Sequence, residues 1–321
     1  MSVIAPGTSL ARTLAELLCE AVSSDDRRWY LWGRPVVEKH GPVESTLAFE
    51  LYTRLHVRTP AGSDPVLPRR VPAFASALAH AVPHPTVRLP VMRADWHGSC
   101  ALGPDETVVL LDGLRVRVGT DTVHETDLVH LPSGAVHVTV PSVRPAASPG
   151  FLLAYGSHQP FPDHGPTTRV YVSVDDSQAA SEVWAGVLEQ AEKSGLVYSA
   201  KVASQPDAYP RTDAVVVYLN GASWNEALQL AHDCTALPGT APHTSAFTRK
   251  VGPGVGIADD PRDNRPGMAA LSFGQHRCLL AARALIAGGG HPDDVAQHLE
   301  REFLTAGLDP AAPERNRTPP L

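Results

Sequence analysis

The sequence predicts an α+β protein in which a helical and β-hairpin N-terminal region precedes a C-terminal domain of mixed strands and helices. Three observations predict it. Apolar residues recur at helical spacing near the N-terminus, the turn Asp112-Gly113 joins two strand-like runs, and strands alternate with helices after residue 166.

Leu10, Leu14, Leu17, Leu18 and Val22 fall at the spacing of an amphipathic packing helix. Residues 1 to 82 read as mostly helical, with Leu47, Leu51 and Leu55 on one stripe and a second apolar stretch at Val71 to Val82. From residue 86 to 140 the pattern turns to β, with Thr107 to Leu111 and Leu114 to Val118 as a hairpin and Ala135 to Val140 as a further strand. Pro, Gly and Ser crowd residues 141 to 166, which suits a linker or surface loop, with Phe151 to Tyr155 as one short strand. The expected organisation is therefore a region 1–147 for peptide or partner docking, a domain 148–308, and a disordered tail 309–321.

Within the C-terminal domain, Thr168 to Val174 reads as a strand. Asp175 to Gln178 offer a cap for a helix carrying Val183, Trp184, Val187 and Leu188, and Gly195 stops it. Strands at Val197 to Ala203 and Asp213 to Leu219 follow, then an Asn220-Gly221 turn and a helix opened by the capping pair Ser223 and Glu226. Helices at about 276 to 288 and 291 to 306 complete the domain.

With 321 residues, 43% apolar and 19% charged, the chain has the composition of a globular protein. A net charge of −7 argues against general binding to nucleic acid, which needs a basic face. The four cysteines lie far apart without a Cys-x-x-Cys pair, so neither zinc nor a disulfide framework is signalled. No apolar run spans a bilayer and no signal peptide is expected, which points to the cytoplasm and away from membranes. The fifteen histidines form no metal motif. Gly252-Pro-Gly-Val-Gly256 lacks the order of a nucleotide loop and reads as a tight turn beside the site, while Asp259-Asp260 before Pro261 reads as a solvated turn.

The chemistry concentrates on Lys201. Only four lysines stand against twenty-three arginines, and this one lies inside an apolar strand, where burial or nearby cations can tune it into a base. Alternation puts Arg169, Tyr171 and Ser173 on one face of their strand, Lys201 with Ser199, and Tyr218 with Val216. If the strands are neighbours, Arg169, Tyr171, Lys201 and Tyr218 converge. Arginines on strand faces are more often solvated or paired with carboxylates than catalytic, and a tyrosine in a strand usually packs its ring with the hydroxyl at the rim.

Arg169-Val-Tyr-Val-Ser173, Lys201-Val202, Ala208-Tyr-Pro-Arg-Thr-Asp213, Gly252-Pro-Gly-Val-Gly-Ile-Ala-Asp259 and Ser272-Phe-Gly-Gln-His-Arg277 together resemble the HopA-type effector family. That family includes plant-pathogen effectors and the lyase components of class V lanthipeptide and thioamitide biosynthesis, and it is similar to the phosphothreonine lyases. The resemblance implies β-elimination of phosphate from a phosphorylated residue. Lys201 then corresponds to the α-proton base, and Arg211 and Tyr218 to the arginine and tyrosine that follow it. Where the lyases carry Lys-x-His, this sequence reads Arg169-Val-Tyr171. Arg169 can bind phosphate bidentately, and Tyr171 or the loop residue His164 would replace the histidine as acid.

The resemblance thus implies that Arg169 and Arg211, with one or more of Arg249, Lys250 and Arg277, hold phosphate on a kinase-phosphorylated precursor peptide. Dehydroalanine or dehydrobutyrine remains. A separate peptide kinase is the implied partner, and no cofactor or metal is required. The rival expectation is a noncatalytic phosphopeptide-binding or kinase-activating scaffold of the same fold, which the altered Lys-x-His position favours.

Overall fold

Runs of β-branched residues after residue 140 build one large antiparallel sheet, and the period-2 alternation of each strand decides what covers its two faces. The computed structural model describes residues 10–25, 28–31, 34–35, 42–58, 71–95, 101–111, 113–125, 134–159 and 165–317. The chain begins with α1 (Leu10–Ala21) and three short strands, β1 (Val22–Asp25), β2 (Arg28–Leu31) and β3 (Arg34–Pro35), which form a small sheet. Then come α2 (Val43–Leu51), a π-helical turn (Tyr52–Val57) and α3 (Pro72–His80). The expectation of a mostly helical start omitted the small sheet.

Next are β4 (Thr86–Arg93), β5 (Glu106–Leu111), β6 (Leu114–Gly119), β7 (Val123–Glu125) and β8 (Ala135–Pro141), which form a sheet in the order β6-β5-β4-β8-β7. The predicted hairpin is β5–β6, with Leu111 opposite Leu114. Val87, Leu89, Val91, Val109, Leu111, Val136 and Val138 give this sheet a buried face of its own.

The remaining elements are β9 (Val143–Ser148), β10 (Phe151–Tyr155), β11 (Thr167–Val174), α4 (Ala180–Ser194), β12 (Tyr198–Ala203), β13 (Arg211–Asn220), α5 (Trp224–Cys234), β14 (Arg249–Gly252), β15 (Val255–Asp259), α6 (Phe273–Ala287), α7 (Pro292–Thr305), β16 (Leu308–Asp309) and β17 (Ala312–Asn316). The large sheet runs β14-β15-β11-β13-β12-β10-β9. The short strand expected at Phe151–Tyr155 is β10, and the expected linker at 141–166 is corrected at Val143–Ser148, where β9 is a sheet strand. A boundary at residue 147 runs through β9.

One face of this sheet, carrying Leu152, Val170, Val172, Val202, Val215 and Val217, packs on α4, α5 and Leu78 of α3. Trp184 Nε1 donates to the Leu78 carbonyl at 3.0 Å, which fastens α3 to α4. The other face, carrying Tyr171, Val216 and Ala258, packs on α1, α2, α6 and α7 through Leu14, Leu18, Leu47, Leu51, Phe273 and Phe303. Each such fully buried side chain contributes roughly 1.5–3 kcal/mol by leaving water.

Local signals act where they were read. Gly195 ends α4 at φ 67°, and Ser223 and Glu226 cap α5 reciprocally. Ser272 and Gln275 do the same for α6, so that helix starts three residues earlier than expected. The segment 175–178 is a correction: Asp176 accepts from the Gln178 and Ala179 amides, and no side chain caps α4 itself. The tail is another, because β16 and β17 pair and Arg315 lies 3.8 Å above the Trp224 ring.

Candidate active site

The central strands β11 and β13 are buried on both faces, whereas β10 and β12 alternate between buried and partly exposed residues. Phe151, Leu153, Tyr155, Ser199, Lys201 and Tyr218 are all partly exposed, so among the described residues this part of the sheet face carries no full helical cover. Register brings the side chains into rows. Arg169 lies opposite Tyr218, which lies opposite Ser199; Tyr171 lies opposite Val216, which lies opposite Lys201.

Cations and rings alternate across this surface. The Arg169 guanidinium stands 4.8 Å from the Tyr218 ring, and Lys201 Nζ stands 5.8 Å from the same ring and 4.3 Å from that of Phe151. The Arg211 guanidinium stands 4.9 Å from the same Phe151 ring. Contacts between a cation and a ring face are attractive, and each of the three cations lies near at least one of the two rings. Of the residues expected to converge from strand alternation, Arg169, Lys201 and Tyr218 lie together here, joined by Arg211, which the family resemblance supplies.

Carboxylates orient both arginines. Arg211 donates from Nε and one Nη to Asp213 at 2.7 and 3.0 Å, and Arg169 pairs with Asp260. Burial works to raise the Asp213 carboxyl, yet Arg211 outweighs it and holds Asp213 well below the usual carboxylate range. Lys201 has no carboxylate partner among the described residues. A cation left unpaired between two oriented guanidinium groups is an arrangement that receives an anion.

Other expected members sit elsewhere. Tyr171 is 3% exposed, its ring meets His56 edge-on at 5.7 Å and Phe273 at the same distance, and its buried hydroxyl lies toward the Arg169 guanidinium. Burial raises its phenol pKa far above the ordinary value against the pull of Arg169, which makes it a poor proton donor. Arg277 is fully buried; it donates from Nε to the Pro313 carbonyl at 2.8 Å, lies 4.7 Å from the Phe273 ring, and is pushed down to about 10 by burial. It serves the interior between α6 and β17 and does not reach the open face.

Arg249 and Lys250 are exposed on β14, the edge strand four positions from β12, a separation of about 19 Å at ordinary strand spacing. They are not part of the row around Lys201. His164 lies outside the described residues. Asp259 and Asp260 are not a solvated turn: Asp259 accepts from Arg315 Nε and the Asn316 amide, and Asp260 holds Arg169. Gly252 to Gly256 form the β14–β15 turn at that same edge, with Gly254 at φ 70° against the Ala241 carbonyl.

The structure adds members the sequence did not indicate. Phe151 separates two cations, and its signal was the alternation of Phe151 to Tyr155. Asp213 follows Arg211 by two residues, a spacing that shares a strand face. Tyr52 and His56 come from the π-helical turn, with rings 5.3 Å apart, and nothing local in the sequence marks them. His56 donates to or accepts from Ser245 Oγ at 2.8 Å, and burial pushes its pKa down to about 4, with Arg211, Lys201 and Arg169 acting in the same direction.

An antiparallel sheet with helices on both faces, left partly open at one patch where a lysine lies near two arginines, defines an α+β protein with a cationic, ring-lined surface patch. The chain matches the HopA1 effector protein family over residues 142–315, more than half its length, and it belongs to that family. Two solved effector structures from Pseudomonas syringae are similar. One, from pv. tomato strain DC3000, has 20% identity and a TM-score of 0.41 over 52% of this chain and 63% of its own. The other, from pv. syringae strain 61, has 13% identity and a TM-score of 0.46 over 86% of this chain and 96% of its own. The match to the first therefore spans less than two thirds of that effector. No curated protein matches the chain. Among the described residues no helix is long and apolar enough to cross a membrane.

Proposed function

We propose that the protein is a phosphoserine/phosphothreonine lyase acting on a peptide phosphorylated by a separate kinase, with Lys201 as the base. The observation that carries this reading is the placement of Lys201, unpaired with any described carboxylate, between the rings of Phe151 and Tyr218 and flanked by Arg169 and Arg211. Arg211 commits Nε and one Nη to Asp213, which leaves its remaining N–H groups for phosphate oxygens. In the reaction Lys201 Nζ takes the α-proton, the α-carbon electron pair becomes the Cα=Cβ bond, and the Cβ–O bond breaks to release phosphate. The dehydroalanine or dehydrobutyrine product stays in the peptide, and the arginines stabilise charge gathering on the departing phosphate. A ribosomally made precursor peptide is the proposed substrate.

Incubating a phosphopeptide with the protein and following its mass tests this. Loss of the elements of phosphoric acid, abolished in Lys201→Ala and not restored in Lys201→Arg, is the expected result, because an arginine stays protonated. Undiminished elimination by Lys201→Ala removes Lys201 from the mechanism. A second reading, a noncatalytic phosphopeptide-binding or kinase-activating scaffold, is favoured by the burial of Tyr171, which withdraws the residue at the altered Lys-x-His position from the open face. Binding without mass change selects that reading.

A further inference from the structure

A second cavity lies at the end of the same strand that carries Lys201. It measures about 490 Å³ and is bounded by Arg88 of β4, His124 of β7 and His137 of β8 on one side, and by Ser157, His158 and Val197 on the other. The first three share a face of the five-stranded sheet: His124 lies opposite His137, and Arg88 lies opposite Thr139, whose hydroxyl bonds His124 Nε2 at 2.9 Å. Val197 immediately precedes β12 and lies four residues before Lys201. Four residues of extended chain span about 13 Å.

Arg88 is exposed and permanently charged, and His137 and His158 add ring nitrogens; the Ser157 hydroxyl donates to Glu192 and meets His158 Nδ1 at 3.0 Å, and His124 Nε2 is taken by Thr139. Glu125 also borders the cavity, but its carboxylate is held by Arg93 at 2.5 Å. Arg88, without an ion-pair partner among the described residues, is the group of the cavity that is complementary to an anion.

Building on the lyase reading, we infer that this cavity is a substrate subsite for an anionic side chain of the same peptide, a carboxylate about four residues from the phosphorylated residue. An extended peptide laid along β12 with its phosphate at Lys201 places that residue at Arg88, His124, His137 and His158. The subsite would select among Ser/Thr positions by their acidic context, a task for which the row around Lys201 has no further groups.

The test uses phosphopeptides with one glutamate moved from two to six residues on either side of the phosphoserine, against an all-alanine control. Binding is read by fluorescence anisotropy to Lys201→Ala and turnover by mass spectrometry with the unaltered protein. One spacing near four is expected to bind about tenfold tighter, the size of a charge-assisted contact, and to lower KM with kcat unchanged. Arg88→Glu, a change at an exposed position, is expected to abolish that preference and transfer it to a peptide with lysine there. Equal binding at every spacing, no binding of any peptide, or a preference that survives Arg88→Glu overturns the inference. A glutamate preference in binding without elimination by the unaltered protein leaves the subsite standing and removes the lyase reading. Elimination without spacing preference does the reverse.

Discussion

His56 and Gly274 are fitted to one another at the start of α6. A β-carbon on Gly274 would lie 2.1 Å from His56 Cδ2 and 2.5 Å from Nε2, and the imidazole has no room to withdraw because Tyr52, Tyr171 and Phe273 surround it. Gly274→Ala is expected to cost about 1–3 kcal/mol, read as a lowered urea midpoint with unchanged m-value. The same burial makes His56 a pH-dependent weak point. Its pKa falls from the ordinary 6.5 in the unfolded chain to about 4 in the native state, so between those values the unfolded chain binds the proton more tightly. Native stability therefore rises with pH across this window and is lost as pH falls from 6.5 toward 4. His276, also pushed down to about 4, acts in the same sense. His56→Gln is expected to shrink the stability difference between pH 4.5 and pH 7 by on the order of 2 kcal/mol, measured by urea titration at both values. An unchanged difference assigns the slope to other groups.

At the scale of elements, the local capping chemistry is the part that can be tested one hydroxyl at a time. Ser272 accepts from the Gln275 amide and its own amide donates back to the Gln275 side chain, so Ser272→Ala is expected to destabilise by about 1 kcal/mol in a thermal or urea melt. The equivalent Ser223–Glu226 cap was legible because both partners lie within four residues, whereas the Ser272 cap, of the same spacing, was not indicated and α6 was expected to start later. The strands β9 and β17 were not legible, for two different reasons. Pro145 makes β9 resemble a linker, but β9 is the outermost strand of its sheet, where a missing N–H breaks no ladder. Glu314-Arg315-Asn316 carries no apolar alternation, and its order comes from distant partners, Asp259, Trp224 and the backbone of Asp260. Removing residues 310–321 takes away the Pro313 carbonyl from the fully buried Arg277 Nε. That truncation is expected to cost at least about 3 kcal/mol, seen as a large drop in the urea midpoint, because a buried cation loses its acceptor.

At the scale of the whole molecule, the placing of Arg169, Lys201 and Tyr218 together was legible from strand parity and Arg211 only from the family resemblance, because a register shift at Val172–Val174 interrupts the alternation beside it; the setting of the row was not legible, because residues far upstream supply it. Leu47 and Leu51 of α2 and Leu14 and Leu18 of α1 are buried in the same core as Phe273, Leu280 and Leu285, and Arg283 of α6 bonds Glu44 at 3.0 Å. The π-helical turn then sets His56 against Tyr171 directly behind the cationic row. A division at residue 147 would strip the helix layer of its outer packing and remove most of β9. A fragment of residues 148–321 is accordingly expected to expose apolar surface, bind a hydrophobic dye, and lack a cooperative urea transition, and co-expression with residues 1–147 is expected to restore one. A fragment that unfolds with the midpoint and m-value of the whole chain would make the N-terminal region an appendage. It would also mean that Tyr171 and Arg169 keep their positions without the turn that now closes over them. The dependence runs the other way if burial governs: the upstream helices are then part of the site, because they exclude water from one side of the row while leaving the Lys201 side open.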